Sequence, residues 1–501
     1  MRKLLLATVA VLGASIGVAS VADAQTTTPA PGTVTVRLNG RFRFYAYAVD
    51  QSDANNNASG SATGAVNAAG SGTLTGYNKL ASYGFGDYIR LYPGFDGVAA
   101  NGLKYGANIE FRQDSTTGAG GGTYGSVSAS DRARGELYVR REWGYIGTDQ
   151  LGTIRLGSTD QPSSLYMTGN FENFDGGGLN GDTPSFVASN LQITWPFADV
   201  GSYYSTTKAI YLSPQLYGFD FGVSFEPSTE AVGGGQNGCG GSSGQGTNFV
   251  SGAPTVASGT TGVSAIAAAA GATTQGVAGP GCDALSSSPI NAESGRRKDT
   301  VDALIRYRGT FGAFGIAATG GWIDGSHVQD NQTGVAFNSN RASTATVRDQ
   351  FQGLSVADFG IAVTYAGFSV GGKFQDGKFN GQWGLLPTNA GLHNSEAFLV
   401  GASYTVGPFV VGAHYLNYQS AGDVGNAVLG RQRDEQGVGY GGTYSVAPGV
   451  SLFLSGIWVQ RKQNGYNFNT GAGVSSTAPA GNPYSNKVSS SLISVGTSFS
   501  W

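Results

Sequence analysis

Arginine is the residue type whose spacing here could do chemistry. Arg37, Arg41 and Arg43 occupy alternate positions of one extended run, and Arg90, Arg112, Arg140 and Arg155 recur on the corresponding face of later runs. A guanidinium remains protonated at physiological pH and presents five donors in a fixed fork, so an array of them sorts charged solutes rather than transferring protons. Groups suited to catalysis are scarce. Of the three histidines, His327 and His393 fall in polar segments and His414 in an alternating run, and no motif joins any of them to a nucleophile. The two cysteines, Cys239 and Cys282, lack the spacing of a metal site, and Gly233 to Gly235 lacks the lysine and helix of a phosphate loop. No enzyme, metal or cofactor is expected.

What positions the arginines is a period of two. From Val34 to Ala48 the even positions Val34, Val36, Leu38, Phe42, Phe44, Ala46 and Ala48 are apolar, while the odd positions carry the arginines. Such alternation belongs to a strand with one apolar and one wet face. It returns from Leu103 to Phe111, Phe219 to Phe225, Val301 to Tyr307, Phe314 to Trp322, Phe359 to Tyr365, Phe368 to Phe374, Phe398 to Tyr404, Phe409 to Tyr415, Tyr440 to Val446 and Leu452 to Trp458. A last copy runs through Ile493, Val495, Phe499 and Trp501. Arg141 breaks the pattern, since Val139 and Trp143 flank it on the apolar parity; a β-bulge or a contact between copies would accommodate it.

Composition fits a membrane barrel better than a soluble fold. The chain has 501 residues, 82 of them glycine, with 12% charged residues and a net charge of -3. There is no basic surplus for nucleic acid, and no interior run of about 20 apolar residues for a spanning helix. Strands that give only alternate residues to lipid escape both limits. Turning Arg37, Arg41 and Arg43 toward lipid would cost about 2–4 kcal/mol each at the midplane, so the arginine face must line water.

Connections alternate in length. Short turns fall near Gly97 to Gly102, Thr148 to Gly152, Pro214 to Tyr217, Gly309 to Gly312, Ala366-Gly367, Val406 to Pro408 and Ala447 to Gly449, with long polar segments between the resulting hairpins. The rhythm predicts an all-β transmembrane antiparallel barrel of about 16 strands, with long loops on one rim and short turns on the other. A secreted array of β-domains would share the alternation but not the rhythm. Ahead of the barrel, Arg2 and Lys3, the apolar run Leu4 to Val18 and Ala22-Asp23-Ala24 form a signal peptide over residues 1–24, leaving 25–501 as one barrel domain. Export makes a disulfide between Cys239 and Cys282 permissible at the base of the low-complexity loop 227–298. Tyr365, Tyr404, Tyr444, Trp458 and Trp501 suit interfacial aromatic girdles.

With these features assembled, the chain resembles the Gram-negative general diffusion porins common in alphaproteobacteria. The likeness is sharpest in Glu136-Leu137-Tyr138-Val139, Trp143 to Gly147 and Leu151 to Gly157, then in Tyr211-Leu212-Ser213-Pro214 with Tyr217-Gly218-Phe219. The terminal aromatic strand, with Phe499 and Trp501, is similar to the signal read by the barrel assembly machinery, although the family more often ends in Phe. The resemblance implies homotrimers in outer-membrane lipid, each barrel a water-filled channel for small hydrophilic solutes and ions. It also implies that the third long loop, residues 159–201, folds into the pore, bringing Asp160, Glu172, Asp175 and Asp182 opposite the arginines. Arg155 is the leading wall candidate because its strand runs straight into that loop. Two other readings stay open: a sugar or organic-acid channel in which Tyr166, Phe171 and Phe174 form a stacking track, and an adhesin using the barrel as a platform. Ion preference is open too, because the total charge says little about the few groups at the narrowest point.

Overall fold

The computed structural model describes residues 29–52, 82–114, 138–180, 187, 191–197, 206–228, 297–327, 351–381, 385–387, 391–422, 430–468, 472–473 and 486–501. The signal peptide, Asp182, Cys239, Cys282 and nearly all of the loop 227–298 lie outside the described residues.

The strands are β1 (Thr33–Gln51), β2 (Tyr83–Val98), β3 (Lys104–Asp114), β4 (Tyr138–Thr148), β5 (Gly152–Ser158), β6 (Thr207–Leu212), β7 (Phe219–Ser228), β8 (Arg297–Phe311) and β9 (Phe314–His327). They continue as β10 (Leu354–Tyr365), β11 (Phe368–Gly377), β12 (Ser395–Val406), β13 (Phe409–Ser420), β14 (Arg433–Ala447), β15 (Val450–Gln463), β16 (Tyr466–Asn467), β17 (Ala472–Gly473) and β18 (Lys487–Ser500). A one-turn helix, α1 (Pro162–Leu165), follows β5. Sixteen of the strands, all but β16 and β17, form one closed antiparallel barrel in which β18 pairs with both β15 and β1.

All seven short turns fall where the sequence puts them. The strands themselves run past the alternating segments, nearly always at the long-loop end. β14 begins at Arg433 rather than Tyr440, and β8 at Arg297 rather than Val301. The reason is solvent: beyond the lipid a strand keeps its ladder but no longer needs an apolar face, so pairing continues after the periodic signal stops.

Alternation sorts the side chains by solvent. On the outer face Val36, Leu38, Phe85, Ile305, Phe359, Val411, Leu454 and Val495 are exposed, forming a belt of apolar surface around the wall. Near the short turns this belt carries cross-strand aromatic pairs: Phe219 with Tyr307, Phe314 with Tyr365, Phe368 with Tyr404 and Phe409 with Tyr444, at centroid distances of 4.9, 4.7, 4.3 and 4.5 Å. Each joins neighbouring strands at one height, as an interfacial girdle requires.

β4 carries a departure in parity. Glu110 pairs with Arg141 but Phe111 with Val139, so Arg140 is an extra residue in a β-bulge. The bulge turns both Arg140 and Arg141 inward and reverses the parity that follows. Trp143, expected on the apolar face, therefore lies inside, with the Arg155 guanidinium 4.2 Å from its ring centroid.

The outer belt is a test of orientation. Ile493, half-exposed at the middle of β18, sits where a cation is most costly; Ile493→Arg should lower folding stability in bilayers by about 2–4 kcal/mol, read by equilibrium unfolding.

Candidate functional site: the barrel lumen

Inside the barrel, the segment after β5 lies along the inner wall and passes successive strands in order. At its start Ser163 N–H donates to Asp302 Oδ2 of β8 at 2.8 Å, and Lys208 Nζ donates to the Thr159 carbonyl at 2.7 Å. Next, Asn173 Nδ2 donates to Ser403 Oγ of β12 at 2.8 Å, and Asp175 N–H to Thr443 Oγ1 of β14 at 3.1 Å. On its return, Thr194 N–H donates to Glu435 Oε2 of β14 at 3.2 Å.

Glycine makes this close approach possible. A Cβ on Gly360 would meet the Thr168 carbonyl, on Gly401 and Gly412 the rings of Phe171 and Phe174, and on Gly441 the Asp175 carbonyl. Phe171 is itself held at φ 53°, a left-handed conformation whose strain of about 1–3 kcal/mol the surrounding packing must offset. Further along, Leu179, Leu191, Trp195 and Phe197 join lumen-facing Leu354, Val356, Leu399, Leu416 and Ile457 in an apolar core between segment and wall. Trp195 and Phe197 meet edge to face at 5.2 Å.

This packing changes the expected role of several residues. Tyr166, Phe171 and Phe174 are buried against the wall instead of forming a stacking track in water. Arg306 lies 3.8 Å from the Tyr166 ring centroid, and burial pushes the Tyr166 phenol up from its ordinary value. His414 faces inward as its parity requires, but it is covered rather than solvated: it is 5% exposed, between Phe174 and Trp195.

The remaining wall, β1 to β5, holds the arginines. Arg37 pairs with Asp96 at 2.6 Å and donates to Asn108 Oδ1 at 2.9 Å. Asp96 also accepts from the Tyr145 hydroxyl. Arg43 pairs with Asp175 of the inner segment, and its guanidinium lies 4.4 Å from the Phe453 ring centroid. Glu110, 3% exposed, is shared by Arg112, Arg140 and Arg141. Arg141 in turn pairs with Asp160 at the start of the segment. Arg41 and Arg90 flank the Tyr88 ring at 5.3 and 4.4 Å, while Arg155 stacks on Trp143.

Of the carboxylates expected opposite the arginines, Asp160 and Asp175 meet them directly. Glu172 accepts from Asn180 Nδ2 at 3.1 Å. Sequence reasoning missed Arg141, Glu110 and Asp96. Glu110 and Asp96 share parity with neighbouring arginines, a usable signal; the bulge that turns Arg141 inward leaves none.

A closed barrel with an apolar coat, a charged interior and an inner segment along its wall is the geometry of a channel. A family model described as Gram-negative porin matches residues 7–464. The chain belongs to the Gram-negative porin family. It is thus an outer-membrane porin channel and not an enzyme. Among solved structures it is similar to the Vibrio cholerae outer-membrane protein OmpT in its trimer form, at 12% identity and a TM-score of 0.45, over 94% of this chain and 100% of that one. It is also similar to a mutant of the Rhodobacter blastica porin, at 11% identity and a TM-score of 0.41, over 93% of this chain and 100% of that one. No curated protein sequence matches the chain.

Glu110 is the hub of the arginine wall in this porin. Glu110→Gln should cost about 3–5 kcal/mol of stability, because three guanidiniums lose their shared carboxylate in a largely buried setting. The surviving channels should shift toward anions, measured as the zero-current potential in a salt gradient.

Proposed function

We propose that this porin is a general diffusion channel of the alphaproteobacterial type, and that residues 159–201 are its constriction loop. The observation that carries the reading is the contact of this segment with the arginine wall, through Arg43 with Asp175 and Arg141 with Asp160. Carboxylates on one side and guanidiniums on the other create a field across the water path, and such charge clusters set ion preference in pores. On this reading Arg37, Arg41, Arg43, Arg90, Arg112, Arg140 and Arg155, joined by Arg141, line the wall side, and Asp160, Glu172, Asp175 and Asp182 the loop side. Among the described residues the carboxylates that meet this wall are Asp96, Glu110, Asp160 and Asp175, fewer than its arginines, which favours anions.

The chain is exported by its signal peptide, residues 1–24, and assembled through the strand ending in Phe499 and Trp501. On the same reading residues 227–298 are the long extracellular loop, and export permits a disulfide between Cys239 and Cys282 at its base.

Homotrimeric assembly draws support from the wall itself. β5 has 7 residues and β6 has 6; at about 3.4 Å per residue and a tilt near 40°, they span roughly 16–18 Å, less than the ~25 Å apolar band of an outer-membrane barrel. Beside them Glu142 is exposed on the outer face, in register with Ile109 and Ser158. A neighbouring copy would shield both the short wall and the carboxylate from lipid.

Purified protein in planar bilayers should conduct in steps that come in multiples of three and favour chloride over potassium; silence in this assay would overturn the channel reading. Arg155→Gln should lower unit conductance and move the reversal potential toward cations. No change in either would remove Arg155 from the narrowest point.

A further inference from the structure

At the long-loop ends of β8 to β11 the wall holds a recess of about 540 Å³ lined by Lys298, Asp324, Ser326, His327, Ser355 and Lys378. Lys298, Asp324, Ser326 and Lys378 are exposed while their chain neighbours Arg297, Ile323, Gly325 and Gly377 are buried, so these four side chains belong to the outer face of the barrel. Pairing brings them together. Lys298 is in register with Ser326 and Asp324 with Ser355, and the Lys378 N–H donates to the Ser355 carbonyl at 2.8 Å. The two lysines therefore bracket the recess from either side, three strand spacings or roughly 15 Å apart at the backbone.

Among the described residues neither ammonium has an ion-pair partner, and nor does Asp324. The nearest carboxylates on the same rim are taken: Arg431 pairs with both Asp376 and Glu396, at 3.3 and 2.6 Å. The recess thus keeps two positive charges against one negative. Its height is as informative as its charge. Trp322 lies one step below Asp324 on the same face of β9 and is half-exposed, and Phe359 and Phe374, four residues below Ser355 and Lys378, are exposed too. Those steps measure about 7 and 14 Å along a strand. The recess therefore sits on the water side of the apolar belt, at the border that an outward-facing indole marks.

We propose that Lys298 and Lys378 bind the phosphate of an anionic lipid headgroup, with Ser326, Ser355 and Asp324 bonding to headgroup hydroxyls. Two ammoniums beside one carboxylate leave one positive charge, which a single phosphodiester neutralises. A zwitterionic headgroup would bring its own cation to the two lysines and gain little. A free anion would meet the same lysines with nothing below it, whereas a lipid lays its acyl chains on Trp322, Phe359 and Phe374, so that apolar burial and charge act together. Lysine suits the place, because its apolar stem lies along the wall while the ammonium reaches the headgroup layer.

The test is lipid retention by the protein purified in detergent, read by native mass spectrometry during titration with phosphatidylglycerol or with phosphatidylcholine of the same acyl chains. Phosphatidylglycerol should half-occupy the protein at a concentration about tenfold lower than phosphatidylcholine. Lys298→Gln and Lys378→Gln should each raise that concentration about fivefold, and Lys→Arg at both positions should keep the advantage. Lys104→Gln, at the short-turn rim where Lys104 pairs with Asp149, should leave it unchanged. Equal retention of the two lipids by the wild-type protein overturns the site, a comparison that needs no variant to fold. An advantage of phosphatidylglycerol that survives the combined Lys298→Gln and Lys378→Gln substitutions overturns its assignment to this recess. Displacement of phosphatidylglycerol by inorganic phosphate at equal concentration makes the ligand a free anion and overturns the lipid. Because the readout does not use conductance, each of these failures leaves the channel standing.

Discussion

Everything in this molecule depends on closing the sheet. In hydrocarbon an unpaired backbone amide or carbonyl has no water to turn to, so a spanning sheet must have no edge. The closing seam is β1 against β18, paired from Arg41 with Ser500 to Gln51 with Ser490. Two backbone hydrogen bonds between Gly40 and Trp501, both 3.1 Å, extend the seam to the final residue. A side chain at position 40 would run into the Trp501 indole, so glycine there lets the terminal ring cover the seam.

Once closed, the barrel is wider than its wall side chains can fill, and the inner segment takes up part of the excess. It does so by following the wall from β8 to β15 instead of hanging free. The small positions that admit it include Gly360 of β10, Gly401 of β12, Gly412 of β13 and Gly441 of β14. Hydrogen bonds at Asp302, Ser403, Thr443 and Glu435 fix its course, while the apolar cluster around Trp195 and Leu399 supplies burial. Loop and wall thus share a core of the ordinary kind, inside a protein whose outer apolar surface serves only the membrane.

The fold was largely legible because a strand with lipid on one side and water on the other must alternate, and the alternation of Val34 to Ala48 is hard to read otherwise. Its long-loop ends were less legible, since Arg433 to Gln436, Arg297 and Lys298 pair in the ladder where no solvent contrast marks them. In the site, parity sufficed for arginines on regular strands and failed at the bulge after Val139, where one extra residue changed the side on which Arg141 and Trp143 lie. The loop aromatics show a different limit. Phe171 and Phe174 have the composition of a stacking track, and their burial depends on glycines 401 and 412, more than two hundred residues away.

Because the packed segment occupies the β8 to β15 side, the water path is displaced from the barrel axis toward β1 to β5. At β1 and β2 a single layer of sheet separates solutes from hydrocarbon. A medium of low dielectric constant repels field lines, so the lipid behind the wall directs the field of Arg41, Arg43 and Arg90 into the lumen instead of dissipating it. An off-centre channel therefore uses the bilayer as an electrical backing, and its charge discrimination should depend on remaining embedded as well as on its sequence.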